Sequence, residues 1–133
     1  FSLTSFPWAP ATAHWRYERR FAPTCVLNGN GGWWRPNRRT DLWLKVDLGR
    51  LAALDEVVIT LHLNAGQTKT WKSATLKFSD GSSAPITLAC SDKPQTFPCP
   101  GKKASWVTIA DLKEDFPFSD NGIARVTLNG RDL

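Results

Sequence analysis

Hydrophobic and polar residues alternate with a period of two along most of the chain after residue 41. The alternating apolar positions are Leu42, Leu44, Val46 and Leu48; Val57, Ile59, Leu61 and Leu63; Ala74, Leu76 and Phe78; Ile86 and Leu88; Val107 and Ile109; and Ala124, Val126 and Leu128. A period of two is typical of strands that bury one face and expose the other. The pattern therefore predicts an all-β chain with six or more short strands.

Turn-forming residues separate these predicted strands. Gly49 ends the first strand, and Asp80-Gly81, Pro100-Gly101 and Asn121-Gly122 lie between later ones. Gly and Asn tolerate the positive φ that tight turns require. No window carries a helical stripe with caps, although 51–55 or 109–115 could hold a single helical turn. The pattern predicts an antiparallel sandwich or a barrel, and periodicity alone does not separate the two.

The length of 133 residues indicates a single domain, 1–133, with one core. Residues 42–130 carry the main strands. Residues 1–41 are rich in Trp, Arg, Pro and Gly and poor in alternation, so they are expected to form mostly ordered loops. No apolar stretch is long enough to cross a bilayer, and the first five residues lack the features of a signal peptide. The chain is interpreted as a mature or excised segment.

The cysteines bear on the cellular compartment. Cys90 and Cys99 bracket a short segment between two predicted strands, where a hairpin would bring their Cα atoms within bridging reach. We predict a disulfide between them; the alternative is a pair of buried thiols in a cytosolic protein. A disulfide favours a secreted, extracellular location. Cys25 is left over and is expected to be a small buried apolar residue.

Several motifs, taken in order, resemble a known family. The first is Asn28-Gly29-Asn30 followed by Trp33-Trp34, and the second is Trp43-Leu44-Lys45-Val46-Asp47-Leu48-Gly49. The later motifs are Phe78-Ser79-Asp80-Gly81-Ser82, Trp106-Val107 and Gly122-Ile123-Ala124-Arg125-Val126-Thr127-Leu128-Asn129-Gly130. Their order and spacing resemble the discoidin or coagulation factor 5/8 type C family, especially bacterial and fungal discoidin-like domains attached to carbohydrate-active enzymes.

The resemblance covers residues 28 to 130. It implies a galactose-binding-like jelly roll, an antiparallel β-sandwich of eight strands. In many members the loops at one end bind sugars, and in others they bind anionic lipid, protein or nucleic acid. Because one fold serves several ligands, the resemblance does not name the ligand of this chain.

The same resemblance bears on a cofactor. Many relatives hold a structural calcium ion through an Asp in the first loop and a Glu in the last strand, and here those positions are Asn28 and Arg125. Calcium sites depend on carboxylate oxygens, so the site is predicted to be lost and no cofactor or metal is expected. We expect Arg125 to replace the ion by donating hydrogen bonds to the carbonyls of the 28–32 loop.

The sequence offers little that could carry catalysis. It contains none of the common nucleophile, zinc or phosphate-binding motifs, and its histidines are His14 and His62. His62 falls on the strand face opposite its apolar neighbours, which indicates a surface residue. The acidic residues Asp111, Glu114 and Asp115 could in principle hydrolyse a glycoside but are interpreted as a solvated loop. The chain is therefore predicted not to be an enzyme.

Binding is better supported, because sugar recognition needs an aromatic face for stacking and planar polar groups around the hydroxyls. Two predicted loops, 33–39 and 64–71, carry such residues. The predicted ligand-binding residues are Trp33, Trp34, Arg35, Asn37, Arg38, Arg39, Lys69 and Trp71. One of Trp33 and Trp34 should plug the sandwich and the other face outward, with the choice left open. Trp43 and Trp106 are expected to pack in the core.

These features predict a non-catalytic, lectin-like carbohydrate-binding module within a larger secreted protein. The net charge of +5 makes an acidic polysaccharide a natural ligand. One alternative is a binding module for anionic polymers, nucleic acid or lipid headgroups, with nucleic acid the less favoured partner; it would use Arg35, Arg38, Arg39, Lys69 and Lys72. Another is a structural domain that packs on neighbouring domains.

Overall fold

The computed structural model describes residues 11–13, 25–28, 34, 42–64, 66–67, 70–114 and 122–132. Its elements in chain order are β1 (Ala11–Ala13), α1 (Cys25–Asn28), β2 (Trp43–His62), β3 (Trp71–Phe78), β4 (Ser83–Thr87), β5 (Gln95–Glu114) and β6 (Gly122–Asp132). Each of the five strand pairings is antiparallel. The predicted all-β class is confirmed.

Two long strands, β2 and β5, run through both layers of the sandwich. The first layer has the order β1-β2-β5-β3-β4 and uses residues 43–48 of β2 and 106–114 of β5. In the second layer, residues 52–62 of β2 lie between β6 and residues 95–104 of β5. Within the described residues, the six strands therefore supply eight sheet segments, and the resemblance implied eight strands.

A glycine with positive φ lies where β2 turns from one layer into the other, and a second lies at an irregularity of β5. Gly49 has a φ of 70°, and the register between β2 and β5 shifts between Asp47 and Ala52. Gly101 has a φ of 72° and lies within the second layer, opposite the register shift between Leu54 and Glu56. Glycine adopts this conformation without the steric cost that a Cβ brings, so the backbone can change direction without ending the strand. The predictions that Gly49 ends a strand and that residues 100–101 form a separate turn were wrong.

The single helical turns suggested for residues 51–55 and 109–115 are not formed in the described residues of these two segments. Residues 51–55 lie within β2, and residues 109–114 lie within β5. The predicted Asp80-Gly81 turn is confirmed: Gly81 has a φ of 88°, and its N–H donates to the Phe78 carbonyl at 3.0 Å. The turn joins β3 to β4.

The inward-facing residues of both layers form one core. Of the alternating positions identified in the sequence, only Leu63 and Ala124 are partly exposed, and the others are buried. Val26 of α1 and Trp34 join this core from the N-terminal third of the chain. The predicted alternation therefore identifies the core face of the long strands correctly.

Two short elements lie in the N-terminal region. β1 pairs with residues 44–46 of β2, and α1 forms one helical turn. The remainder of residues 1–41 apart from Trp34 lies outside the described ranges, so the expectation that this region is mostly ordered loops stays a prediction. The side chain of Cys25 falls outside the described part of the structure, so its predicted burial stays a prediction. No helix in the described ranges is long and apolar enough to span a membrane.

The predicted disulfide is wrong, because Cys90 and Cys99 are free thiols. The prediction assumed that the strands on either side of the loop pair as a hairpin. Instead β4 pairs with β3, and the start of β5 pairs with β2. The side chain of Gln95 closes the loop: its Oε1 accepts from the Ala89 N–H at 2.8 Å, and its Nε2 donates to the Ala89 carbonyl at 2.9 Å.

The two thiols differ in their surroundings. Cys90 is exposed, whereas Cys99 is half-buried against the core. Burial raises the pKa of the Cys99 thiol; the charge of Lys102 opposes this shift, and Asp55 and Glu56 add to it. A raised pKa leaves less of the reactive thiolate at neutral pH.

This difference predicts two rates of thiol labelling. With Ellman's reagent at pH 7 to 8, Cys90 should react quickly and Cys99 more slowly, because Cys99 is less accessible and less ionised. Cys90→Ser should remove the fast phase, and Cys99→Ser should leave it. Cys25 is common to both variants, so the comparison between them isolates the two sites. A protein whose Cys90 and Cys99 labelled only after reduction would contradict the free-thiol assignment.

A second prediction concerns Gly130, where β6 passes close to β2. A Cβ at this position would overlap the carbonyl oxygen of Ala53, a backbone atom that cannot rotate away. Gly130→Ala should lower the free energy of unfolding in urea by about 1–3 kcal/mol or more, as overpacking does. Gly81→Ala is the matched control: its site is open, so only positive-φ strain of about 1–2 kcal/mol is expected. A Gly130→Ala variant as stable as the parent would contradict the close approach.

Candidate ligand-binding end of the sandwich

Several connections leave the sandwich at the same end. β2 ends at His62 opposite the first residue of β6, Gly122, and β3 begins at Trp71 opposite the last residue of β5, Glu114. The connections 63–70 and 115–121 therefore both start and finish there. Trp34 forms an isolated antiparallel bridge with Ile123, which brings the N-terminal region to the same place. We call this region the loop end.

A stacked pair of tryptophans lies inside the loop end. The Trp34 and Trp71 rings are 5.7 Å apart between centroids with an interplanar angle of 25°. Trp34 is held by two backbone hydrogen bonds: its N–H donates to the Ile123 carbonyl at 2.8 Å, and the Ile123 N–H donates to the Trp34 carbonyl at 3.0 Å. Because Ile123 belongs to the second layer and Trp71 to the first, the pair ties the two layers together.

This burial corrects part of the predicted site. Trp34 has 0% of its surface exposed and Trp71 has 2%, so neither ring presents a face to a ligand. The prediction that both stack on sugar was wrong, because each ring completes the core. Trp34 is the member of the Trp33-Trp34 pair that plugs the sandwich, and the position of Trp33 lies outside the described residues.

The remaining predicted ligand-binding residues also lie outside the described ranges. They are Arg35, Asn37, Arg38, Arg39 and Lys69. Their place in a binding site therefore stays a prediction.

A short turn within the 63–70 connection is held by its own polar groups. The Gln67 N–H donates to the Asn64 carbonyl at 3.0 Å, and the Asn64 N–H donates to the Gln67 Oε1, also at 3.0 Å. Gly66 between them has a φ of 77°. This part of the loop end is therefore shaped by internal hydrogen bonds, which lowers the entropy that a ligand would have to remove.

Thr70 is a buried polar residue at the loop end that the sequence did not single out. Only 6% of its surface is exposed, and within the described residues it is the one buried side chain that is polar. Its hydroxyl has no hydrogen-bond partner there. Leaving a hydroxyl buried and unpaired costs about 1–3 kcal/mol. A threonine in a predicted loop looks solvent-exposed, so no signal in the sequence could have identified it.

Two tryptophans expected in the core lie elsewhere. Trp43 and Trp106 are partly exposed on the outer face of the first layer. Their neighbours Leu44 and Val107 point inward, and alternation sends the tryptophans outward. The Lys45 ammonium lies 4.7 Å from the centroid of the Trp106 ring, a cation–π contact at the surface. The prediction of core packing for Trp43 and Trp106 was wrong.

A polar cluster at the opposite end of the sandwich has a structural role. The Lys102 ammonium donates to the Ser82 hydroxyl at 2.8 Å, lies 3.5 Å from the Asp80 carboxylate, and sits 5.3 Å from the centre of the Phe78 ring. Hydrogen bonds from the hydroxyl and then the N–H of Ser82 hold the pKa of Asp80 below its ordinary value, and Lys102 adds to this shift. These groups satisfy one another and hold the turn between β3 and β4.

The acidic residues considered for catalysis do not form a buried pair in the described structure. Asp111 has 55% of its side chain exposed, and its carboxylate lies 3.9 Å from the Lys77 ammonium. Glu114 is partly exposed at the end of β5, and Asp115 lies outside the described residues. His62 is partly exposed, as the alternation of its strand predicted.

The residues linked to the calcium prediction are only partly described. Arg125 is exposed on β6, whereas the side chain of Asn28 and residues 29–32 fall outside the described ranges. Among the described side chains, no three His, Cys, Asp or Glu residues are grouped to hold a metal ion. The loss of the calcium site and the contacts of Arg125 stay predictions.

The sequence matches no protein-family model and no curated protein. The fold, in contrast, matches solved structures over nearly the whole chain. A fucolectin from striped bass (Morone saxatilis) serum superimposes on all of the chain with a TM-score of 0.78 and 15% identity. The chain spans 48% of that fucolectin chain and 28% of the SpGH29 structure, to which it is also similar.

Two further structures are similar along almost their full length. Chitosan-binding module 1 of a chitosanase/glucanase from Paenibacillus sp. IK-5 has a TM-score of 0.74 and 15% identity; the match covers 98% of this chain and 99% of that one. A family 32 carbohydrate-binding module from C. perfringens, in complex with galactose, has a TM-score of 0.67, 16% identity and 90% coverage of both chains. The chain therefore has the galactose-binding-like β-sandwich fold that the resemblance implied.

Proposed function

We propose that this chain is a non-catalytic carbohydrate-binding module that binds glycan at the loop end. The observation that supports this most strongly is the similarity, over 90% or more of the chain, to a fucolectin, a chitosan-binding module and a galactose-bound module. The identities of 15–16% are too low to transfer individual binding residues. The residues that bind must therefore be argued from this chain alone.

The buried tryptophan pair gives the proposed site a rigid base. Trp34 is fixed to β6 by its backbone and to β3 through the Trp71 ring. Its covalent neighbours in the sequence, Trp33 and Arg35, are the residues proposed to contact the sugar first. A flat indole face stacks on the apolar side of a pyranose, and a guanidinium hydrogen-bonds its hydroxyls. Attachment to a fixed residue lowers the entropy lost on binding.

Charge narrows the class of glycan. The chain carries 17 basic and 12 acidic residues, a net charge of +5. Arg38, Arg39 and Lys69 add positive charge to the two segments of the proposed site. A positive site repels a polyamine such as chitosan and attracts carboxylated or sulfated sugars. We therefore propose neutral or acidic glycans as ligands.

We further propose that the parent protein is secreted, because glycans of these classes are abundant outside cells. The cysteines no longer support this location, since the predicted disulfide does not form. The proposed location therefore rests on the proposed glycan ligand.

A glycan array, followed by titration of the best ligand, tests the proposed site. The parent should bind at least one neutral or acidic glycan, and Trp33→Ala should weaken that binding about tenfold or more, the loss expected from one stacking contact. Trp106→Ala is the matched control, because it removes a partly exposed tryptophan from the outer sheet face and should leave binding unchanged. Absence of glycan binding, or loss of binding in Trp106→Ala alone, would overturn the proposal.

The alternative, a module for anionic polymers in general, is distinguished from a glycan-binding module by the salt dependence of its affinity. The affinity for a neutral sugar bound by stacking should change little between 50 and 200 mM salt. A glycan site with one or two charged contacts should lose affinity only modestly over this range. A site that neutralises several phosphates should lose affinity roughly a thousandfold over the same range. Such a loss, with tighter binding to nucleic acid or lipid headgroups than to any glycan, would favour the alternative.

A further inference from the structure

Asn64 begins a turn in the 63–70 connection whose hydrogen bonds hold its backbone in place. The Gln67 N–H donates to the Asn64 carbonyl, and the Gln67 Oε1 accepts from the Asn64 N–H, each at 3.0 Å. Gly66, with a φ of 77°, takes the turn position at which a type II turn requires a positive φ. Both main-chain groups of Asn64 are therefore used within the turn, and its backbone position is fixed by them.

The side chain of Asn64 differs from the other polar side chains described in this connection. Gln67 uses its side-chain carbonyl to close the turn, and Thr70 is buried, so a ligand cannot reach its hydroxyl. Asn64 is exposed, and its carboxamide has no hydrogen-bond partner within the part of the chain that the structure describes. Asn64 therefore presents an unpaired carboxamide to solvent from a fixed backbone.

The position of Asn64 in the fold places it at the loop end. β2 ends two residues earlier, at His62, opposite the start of β6. Ile123, the second residue of β6, forms the bridge to Trp34, whose neighbours in the sequence are proposed to contact the sugar. Asn64 thus leaves the sheet beside the strand end that anchors the proposed site.

We propose that Asn64 is a specificity-determining residue whose carboxamide binds two adjacent hydroxyl groups of the sugar. This inference rests on the proposed glycan-binding function, and it adds a residue that the sequence did not single out. A carboxamide carries an acceptor oxygen and a donor nitrogen on the same carbon, so it accepts from one hydroxyl and donates to the next. The ligand class is therefore a sugar with a free vicinal diol.

The fixed turn makes this contact effective. An exposed amide exchanges hydrogen bonds to water for hydrogen bonds to the sugar, so each bond adds only modestly to the affinity. A backbone that is held in place before binding lowers the entropy that the contact removes. Because the carboxamide is uncharged, the contact distinguishes sugars by the arrangement of their hydroxyl groups and not by their charge.

Calorimetric titration of the parent, Asn64→Ala and Asn64→Leu tests this role. The probe is galactose with its monodeoxy analogues, or the monosaccharide that the array identifies in its place. Both variants should bind the sugar about tenfold more weakly than the parent, since each loses two hydrogen bonds. Ser83→Ala is the matched control, because it removes an exposed, uncharged polar side chain at the start of β4 and should leave the affinity unchanged.

The deoxy analogues separate a direct contact from a general change of the site. Two analogues, which lack hydroxyls at adjacent ring positions, should lose less affinity than the sugar itself when Asn64 is replaced by alanine, because one contact is already missing. Analogues modified at the other ring positions should lose the full factor. An equal loss for the sugar and every analogue would overturn the inference.

Stability measured in parallel separates a ligand contact from a structural one. Asn64→Ala should unfold at the same urea concentration as the parent, because the side chain that it removes pairs with no described group. Lower stability with unchanged sugar affinity would mean that the side chain serves the turn, and would overturn the inference. If Asn64→Ala does not fold, Asn64→Leu, which keeps the size of the side chain, decides by the same comparison.

The two proposals fail in different ways. A parent protein that binds no sugar on the array contradicts the glycan-binding function itself. A parent that binds sugar, with Asn64→Ala and Asn64→Leu binding as tightly, contradicts only the role of Asn64.

Discussion

The stacking of Trp34 on Trp71 is the contact on which the loop end depends. Trp34 lies outside the named strands, in the N-terminal part of the chain, and a two-way backbone bridge to Ile123 anchors it to the second layer. Its ring meets Trp71 of the first layer with almost no exposed surface on either side chain. Large aromatic rings contribute strongly to core packing. The stacked Trp34–Trp71 pair thus fills the core at the loop end and fixes the residues from which the connecting loops begin.

The two long strands provide the frame for this contact. Each of β2 and β5 belongs to both layers, with β2 turning at Gly49, and the layers share one continuous core. A sequence shows the alternation of such strands clearly, and the buried positions of β2, β3 and β5 followed from it. It does not distinguish a glycine that ends a strand from one at which the strand turns a corner, because both need the same positive φ. The sequence likewise does not show which strands pair with each other. Cys90 and Cys99 are close in sequence, but the strands beside them pair with different neighbours.

The candidate site was predictable only in outline. The tryptophan-rich segment and the 64–71 loop were identified as the place for a ligand, and Trp34 and Trp71 do meet at one end of the sandwich. Their orientation could not be predicted, because Trp34 lies in a segment without periodicity and Trp71 precedes register shifts that interrupt the alternation of β3. Each ring points inward because it packs against the opposite layer of the sandwich, and that contact is not visible in the sequence around the residue. The burial of Thr70 could not be predicted either, because nothing about a threonine at a loop position indicates that its hydroxyl is enclosed.

The central claim is that the end closed by the tryptophan pair binds sugar. Amide chemical-shift mapping with ¹⁵N-labelled protein, titrated with the best glycan, tests it most directly. The account predicts that the largest shifts fall on Trp33, Arg35 and the adjacent Trp34, with the turn around Ser79 to Ser82 unchanged. Shifts concentrated on the outer sheet face around Trp43 and Trp106, with Trp33 and Arg35 unaffected, would contradict it.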